Sequence, residues 1–207
     1  MLATGAGPGL PSGARCPRCE GRLRGQWRGY RRAVRLRRRV ERLQIARSRC
    51  RGCGRTHALL PSFLVPRRLD CAPVIGAALE EAALGRGHRA VAAWLGLPQT
   101  TVRGWLRRAR AQAKPLAARL WRLAQELGLP APRAPPGEGA LFALVGAAAA
   151  AHAGAAARFG AGGLPDRWGL VVALVGEGLL SHTSSPFPAA AASGRIAATA
   201  ESERGGA

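Results

Sequence analysis

Cys16-Pro-Arg-Cys19 and Cys50-Arg-Gly-Cys53 are two Cys-x-x-Cys pairs with 30 residues between them. This short spacing lets both sulfurs of a pair turn toward one ion, and two such pairs close the four-coordinate tetrahedral site that structural zinc prefers. One pair alone also suits a redox centre; two together point to Zn2+ held by Cys16, Cys19, Cys50 and Cys53. Four protein ligands leave no open coordination position, so such an ion orders the chain and performs no reaction. Gly54 follows the second pair, where a turn with positive φ is easily made, whereas the first pair is followed by Glu20-Gly21. His57, four residues past Cys53, is expected beside the site rather than in it. Cys71, the fifth cysteine, is expected as a small buried hydrophobe.

The second set of residues with chemistry to offer is cationic. The 207 residues carry 32 Lys and Arg against 11 Asp and Glu, a formal net charge of +21, and Lys114 is the only lysine. Residues 1–130 hold 27 of these cations and 6 of the acids, while residues 131–207 hold five of each. The whole excess lies in the N-terminal part, which calls for a polyanionic partner there. Arginine forks onto phosphates and guanine edges better than lysine does. A GC-rich codon bias accounts for the choice of arginine equally well, but not for the neutrality of the second half. Thirteen arginines fall between Arg22 and Arg51, with Trp27 and Tyr30 among them. The arginines suit phosphate contacts, with Arg37, Arg38 and Arg39 as backbone clamps, and the two aromatics suit a small core.

These groups need elements to position them. Arg22 to Tyr30 and Val40 to Ser48 read as two strands of a β-excursion between the cysteine pairs, with the arginine-rich middle as its turn region. Further on, residues 88–106 read as helix, tight turn and helix. Val91, Ala92 and Leu95 form the inner face of the first helix, Gly96 sits where the chain reverses, Leu97 plugs the corner and Pro98 opens the next helix. Val102, Trp105, Leu106 and Ala109 recur at helical spacing as the second buried stripe. The opposite face shows Gln99, Thr100, Arg103, Arg107 and Arg108, side chains that read bases or grip phosphates when a helix lies in the major groove. Gly104 on that face weakens the helix and lets a partner's backbone come close. A helix over Pro73 to Leu84 braces the pair through Val74, Ile75, Ala78, Leu79 and Ala82. An ordinary helical hairpin with a solvated basic face is the alternative reading of this segment.

The fold expected is therefore mainly α with a small β zinc ribbon: a disordered N-terminus over 1–14, the ribbon over 15–62, a helix-turn-helix unit over 63–127, a proline-rich linker over 128–139, a helical segment over 140–182 and a disordered tail over 183–207. Residues 140–180 are too apolar for a free tail and are expected to pack on the helix-turn-helix unit or to make a homodimer contact. Gly139 to Ala157 has no full charge, but alanine and glycine dominate it and His152 interrupts it, so no membrane span is expected. No secretory signal opens the chain, which places it in the cytoplasm with the nucleoid. Asp70 and Asp166 are the only aspartates, and no converging carboxylate set, nucleophile elbow or phosphate loop is present. No enzymatic activity and no small-molecule substrate follow.

Cys16-Pro-Arg-Cys19, the stretch Arg49 to Pro61, Pro66-Arg-Arg68 and the helix-turn-helix together resemble short zinc-ribbon/helix-turn-helix proteins common in high-GC bacteria and related to the N-terminal DNA-binding parts of transposases. Trp168 to Leu180 resembles their C-terminal segment, so the resemblance covers about residues 15–180. It implies binding to double-stranded DNA at promoters or mobile-element ends. The expected function is that of a sequence-specific DNA-binding protein, a transcription regulator or mobile-element accessory factor. The rival readings are a targeting subunit or remnant of a transposase that needs a catalytic partner chain, and a ribbon protein that binds RNA.

Overall fold

The computed structural model describes residues 14–37, 39–129 and 139–180. Residues 1–13, 130–138 and 181–207, which hold most of the segments expected to be disordered or linking (1–14, 128–139 and 183–207), lie outside these residues, as does Arg38. Three antiparallel strands, β1 (Leu23–Leu36), β2 (Arg39–Cys50) and β3 (Thr56–Leu59), form one sheet in the order β1-β2-β3. Five α-helices follow: α1 (Ala72–Ala83), α2 (His88–Leu95), α3 (Gln99–Glu126), α4 (Ala140–Phe159) and α5 (Arg167–Val175), the last continuing into a 3-10 turn, Gly176–Leu179. The described chain is thus a mixed α/β structure with the sheet at its N-terminal end.

The arginine-rich middle is strand, not turn. β1 runs to Leu36, which pairs with Arg39, so the hairpin bends between these two residues, with Arg37 at φ 56. The physical reason is alternation. Val34 and Leu36 on β1 and Leu43 and Ile45 on β2 share one face, and Val34 and Ile45 are fully buried. A sheet with one face on the core tolerates a high density of charge on its wet face. The same hairpin corrects a second expectation, because Tyr30 is 40% exposed rather than part of a core. The side chain of Trp27 is outside the described set.

Sheet and helices share their core. Val34 and Ile45 join Leu64, Val65, Ile75, Leu79, Leu95, Trp105 and Leu106 in the cluster that continues to Leu144, Trp168 and Leu180. One tie between sheet and helices is ionic: Arg35 Nε and Nη2 donate to the two carboxylate oxygens of Asp70 at 2.6 and 3.0 Å, and Asp70 is buried. This two-pronged geometry is the one that suits a guanidinium on a carboxylate.

α3 is a continuous helix of 28 residues with Pro115 inside it. Proline removes one backbone hydrogen bond and crowds the preceding turn, costing about 3 kcal/mol in a helix interior. Ala111 and Pro115 both face solvent, so water can serve the freed carbonyl. The helix persists because Ala113, Leu116, Ala117, Leu120 and Ala124 are buried below it, along the flank of α4. Pro115→Ala is accordingly expected to raise stability by about 1–3 kcal/mol, read from the denaturation midpoint at unchanged slope. A loss of stability would show that the proline is needed for the path of α3.

α4 is the one described helix long and apolar enough to cross a membrane. Its Leu141, Leu144, Ala147, Ala148 and Ala151 are buried in the core shared with α3 and α1. α5 begins where Asp166 accepts hydrogen bonds from the N–H groups of Trp168 and Gly169, at 3.0 and 3.1 Å. Its Trp168 ring lies on Gly76 of α1, and the indole N–H donates to Glu80 at 2.9 Å.

Candidate metal centre and nucleic-acid interface

The two cysteine pairs sit on turns of the same construction. In the first, the Cys16 N–H donates to the Gly21 carbonyl at 2.9 Å; in the second, the Cys50 N–H donates to the Arg55 carbonyl at 2.8 Å. The residue after each second cysteine is left-handed, Glu20 at φ 57 and Gly54 at φ 70. The Glu20-Gly21 departure thus leaves the turn geometry intact. The Arg51 N–H donates to the Arg22 carbonyl at 3.0 Å and joins the second turn to the first.

The four sulfurs all lie within 4.8 Å of one another. Cys16 Sγ is 3.7 Å from Cys53 Sγ, and Cys19 Sγ is 3.4 Å from Cys50 Sγ. Disulfide sulfurs stand about 2.05 Å apart, so these are thiols converging on a common centre. The centre is closely walled. A Cβ on Gly21 meets Cys50 Sγ at 3.1 Å and Cys19 Sγ at 3.4 Å, and one on Gly52 meets Cys19 Sγ at 3.5 Å. The N–H groups of Gly52 and Cys53 point at Cys50 Sγ from 3.3 and 3.4 Å, as they do toward an anionic sulfur. His57 Nε2 stands 3.3 Å from Cys16 Sγ and is therefore an outer partner of one thiol. Cys71 is away from this group, buried at the N-terminal end of α1.

The thiols are electrostatically unequal. The Cys53 N–H leads in holding the Cys50 thiol down to about 6, with Cys19 and the Gly52 N–H adding to it against the cost of burial. Burial opposes a Cys16 thiolate, but hydrogen bonds from the N–H groups of Arg18 and Cys19 and from Cys53 and His57 outweigh it and lower that thiol as well. For Cys19 the Gly21 N–H favours the anion, yet the hydrogen bonds shared with Cys50, Cys53 and Cys16 leave the proton there and push the thiol up to about 11. Burial is the leading cause that raises Cys53. The first cysteine of each pair is thus the readier anion and the second the readier proton carrier. A metal ion must displace the remaining protons, so its affinity rises with pH. Near pH 7 Cys50 is largely a thiolate while Cys19 and Cys53 each still give up a proton, so apparent affinity should rise at least about 100-fold per pH unit between pH 6 and 8. A chelator competition at three pH values checks this; a flat profile would contradict the unequal thiols.

The cationic residues fall into two groups. At the hairpin tip, the Arg37 guanidinium lies 4.5 Å from the centre of the Trp94 ring on α2, and Arg39 pairs with Glu41 at 2.9 Å. The tip is thereby fixed beside α2. On α3, Gln99, Thr100, Arg103 and Arg107 are exposed and Arg108 is half-buried. Beneath them Val102, Trp105, Leu106 and Ala109 are buried, as are Val91, Ala92 and Leu95 on α2. Gly96 makes the reversal between the helices at φ 68, ψ 39, Leu97 is buried behind it, and Pro98 is the residue from which α3 departs.

Residue types alone miss four cations of this surface. Arg110 and Lys114 are exposed and continue the row of Arg103 and Arg107 at helical spacing, over about 16 Å of axis at 1.5 Å per residue. Arg67 and Arg68 lie across from α3 and line, with Arg103, Arg107 and Arg108, a groove of about 570 Å3. The helical period of Arg103, Arg107, Arg110 and Lys114 was readable; the approach of residues 67 and 68 to α3 was not.

Residues 16–105 match a family described as a domain of unknown function (DUF6431). The similar stretch begins at the first cysteine and ends at Trp105, so it takes in both cysteine pairs, the sheet, α1, α2 and the start of α3 as one unit. No curated protein and no solved structure matches the chain.

Proposed function

We propose that the chain is a sequence-specific DNA-binding protein in which a zinc ribbon and a helix-turn-helix share one core. The observation that carries the reading is α3. Its inner face is buried, its outer face presents Gln99, Thr100, Arg103, Arg107, Arg110 and Lys114, and it leaves α2 through a left-handed glycine and a buried corner leucine. That combination fits a recognition helix whose N-terminal residues meet base edges. The net charge of +21 supplies a phosphate-seeking background. Duplex DNA fits this surface better than RNA does, because a projecting helix suits the wide major groove of B-DNA and not the narrow one of A-form RNA.

Zinc is the ion that best fits the thiols. Sulfurs about 2.3 Å from a tetrahedral centre stand about 3.8 Å from each other. The separations of 3.7 and 3.4 Å are close to that edge, and four sulfur donors with no open position suit a structural role. Cys16, Cys19, Cys50 and Cys53 hold it, and we assign the chain no reaction of its own.

Arg103 and Gln99 read bases in this account. Arginine on guanine and glutamine on adenine can each make two hydrogen bonds, and one such pair contributes roughly 1–3 kcal/mol of discrimination. Selection of bound duplexes from a random pool is expected to return a defined site. Arg103→Ala should then relax preference at one base position. Changing Arg37, Arg38 and Arg39 together to Ala should weaken all duplexes alike and flatten the salt dependence by about one for each phosphate no longer neutralised. A pool that returns no site, or an Arg103→Ala profile identical to that of the natural chain, would remove the reader assignment.

A further inference from the structure

The groove beside α3 asks for an anion. It runs between the turn at residues 67–69 and the first three turns of α3, and among the described residues it is lined by six arginines against one acid, Asp70. That acid is spent, because Arg35 grips both its carboxylate oxygens. Arg68 is fixed from behind, its guanidinium donating to the Leu180 carbonyl at 3.0 Å, which adds no negative charge. Among the described residues, Arg67, Arg68, Arg103, Arg107 and Arg108 line one cavity with a single acid, which a sixth arginine holds. Their mutual repulsion is visible at Arg108, whose pKa is lowered first by burial and then by the charges of Arg68 and Arg107.

Gly104 lies in the wall of this groove. A glycine within a helix is about 1 kcal/mol poorer than alanine. A Cβ here meets only the far end of the Arg108 side chain, at 3.1 Å, so packing does not demand the glycine. Its effect is to leave the cavity open between Arg103, Arg107 and Arg108. Threonines 100 and 101 line the same end, offering hydroxyl donors at the start of the helix.

The geometry points to a phosphate-backbone clamp: the groove between Arg67-Arg68 and α3 receives a phosphodiester of duplex DNA, with Gly104 kept bare to admit it. This rests on the DNA-binding reading and adds to it a second, sequence-independent contact on the flank of the reading helix. It also gives the 67–69 turn a function distinct from that of the hairpin tip. Arg103, which borders both the groove and the exposed face, sits where one strand's backbone passes the edge of the major groove.

The test uses the full metal-loaded chain and three substitutions. Gly104→Ala should keep or raise the melting temperature. Gly104→Glu should keep the melting temperature and metal content, yet lower affinity for every duplex by at least about ten-fold, since it fills the groove and brings in a negative charge. Arg67→Ala should lower affinity for cognate and scrambled duplexes by a similar factor and make the salt slope shallower by about one, the signature of a single phosphate no longer gripped. Pyrophosphate serves as a small competitor. If the natural chain binds duplex DNA and Gly104→Glu and Arg67→Ala bind it equally well with the same salt slope, the clamp is wrong and the DNA-binding reading stands. If no duplex is bound at low salt, both fall. If pyrophosphate stabilises the natural chain but not Gly104→Glu, while Gly104→Glu leaves duplex affinity unchanged, the groove holds a free anion and the backbone assignment is overturned.

Discussion

Cys50→Ser should abolish tight metal binding and, with it, the cooperative folding of the sheet. Cys50 is the most anionic of the four thiols, it is buried, and it ends β2, so its loss removes a ligand and a strand terminus together. Loss of an outer hydrogen-bond partner already lowers metal affinity about 10–100-fold, and loss of a ligand exceeds that. Among the described residues of the β1–β2 hairpin, Val34 and Ile45 are the only large apolar side chains fully buried, and a wet two-stranded ribbon of this kind is at best marginal on its own. Cys71→Ser is the control, since Cys71 lies apart from the sulfur cluster and should leave metal content at one ion per chain. Elemental analysis together with thermal melts in the presence of a chelator reads both. Full metal occupancy in Cys50→Ser, or a natural chain whose melting ignores chelators, would dismiss the metal centre.

Gly76→Ala is expected to destabilise as severely as removing a core tryptophan. A Cβ at Gly76 falls 1.9–2.3 Å from Cδ1, Cγ and Nε1 of Trp168, a distance no two atoms can keep, and both residues sit on buried helix faces. One helix must move or the ring must leave its pocket, and the ring carries the hydrogen bond to Glu80 with it. Trp168→Ala removes the same ring directly. Each change is expected to cost about 3–5 kcal/mol in urea denaturation, the range for losing a large aromatic from a core. The double change Gly76→Ala with Trp168→Ala should be far less damaging than the sum, because the methyl then enters vacated space. Additive losses would mean that the two residues do not meet.

What was legible in the sequence was local. The two Cys-x-x-Cys pairs, the Gly96-Leu97-Pro98 corner and the buried stripe from Val91 to Ala109 all depend on residues a few positions apart, where spacing maps directly onto geometry. The break at Gly160 to Pro165 separates α4 from α5 for the same reason. The misreadings came from treating one property as decisive. Charge density between Arg31 and Arg39 suggested a turn, although the alternation of Val34 and Leu36 is the period of a strand. Pro115 does not break α3, because the apolar stripe continues on both sides and its burial against α4 outweighs the missing hydrogen bond. β3 was missed because four residues, Thr56 to Leu59, carry too short an alternation to stand apart from a loop. The groove at Arg67 and Arg68 was not readable at all, because it exists only once residues some 35 positions apart are brought together.

On the proposed function, the same assembly lets one surface serve both reading and gripping. The hairpin tip is pinned to α2 by Arg37 over Trp94, and Arg35 and Asp70 tie β1 to the turn that forms the groove wall. The cysteine cluster is therefore linked to the α3 surface through the sheet rather than by touching it. On the proposed function, metal content and DNA binding are one coupled property, and this sets the decisive measurement. The metal-loaded full chain is titrated against a duplex recovered by selection and against a scrambled duplex of equal length, at two salt concentrations and again after chelation. The account predicts tighter binding to the selected duplex by about 10³-fold or more, a steep salt dependence on both, and loss of the preference when the metal is removed. Equal affinity for the two duplexes, or no binding to either at low salt, would contradict it.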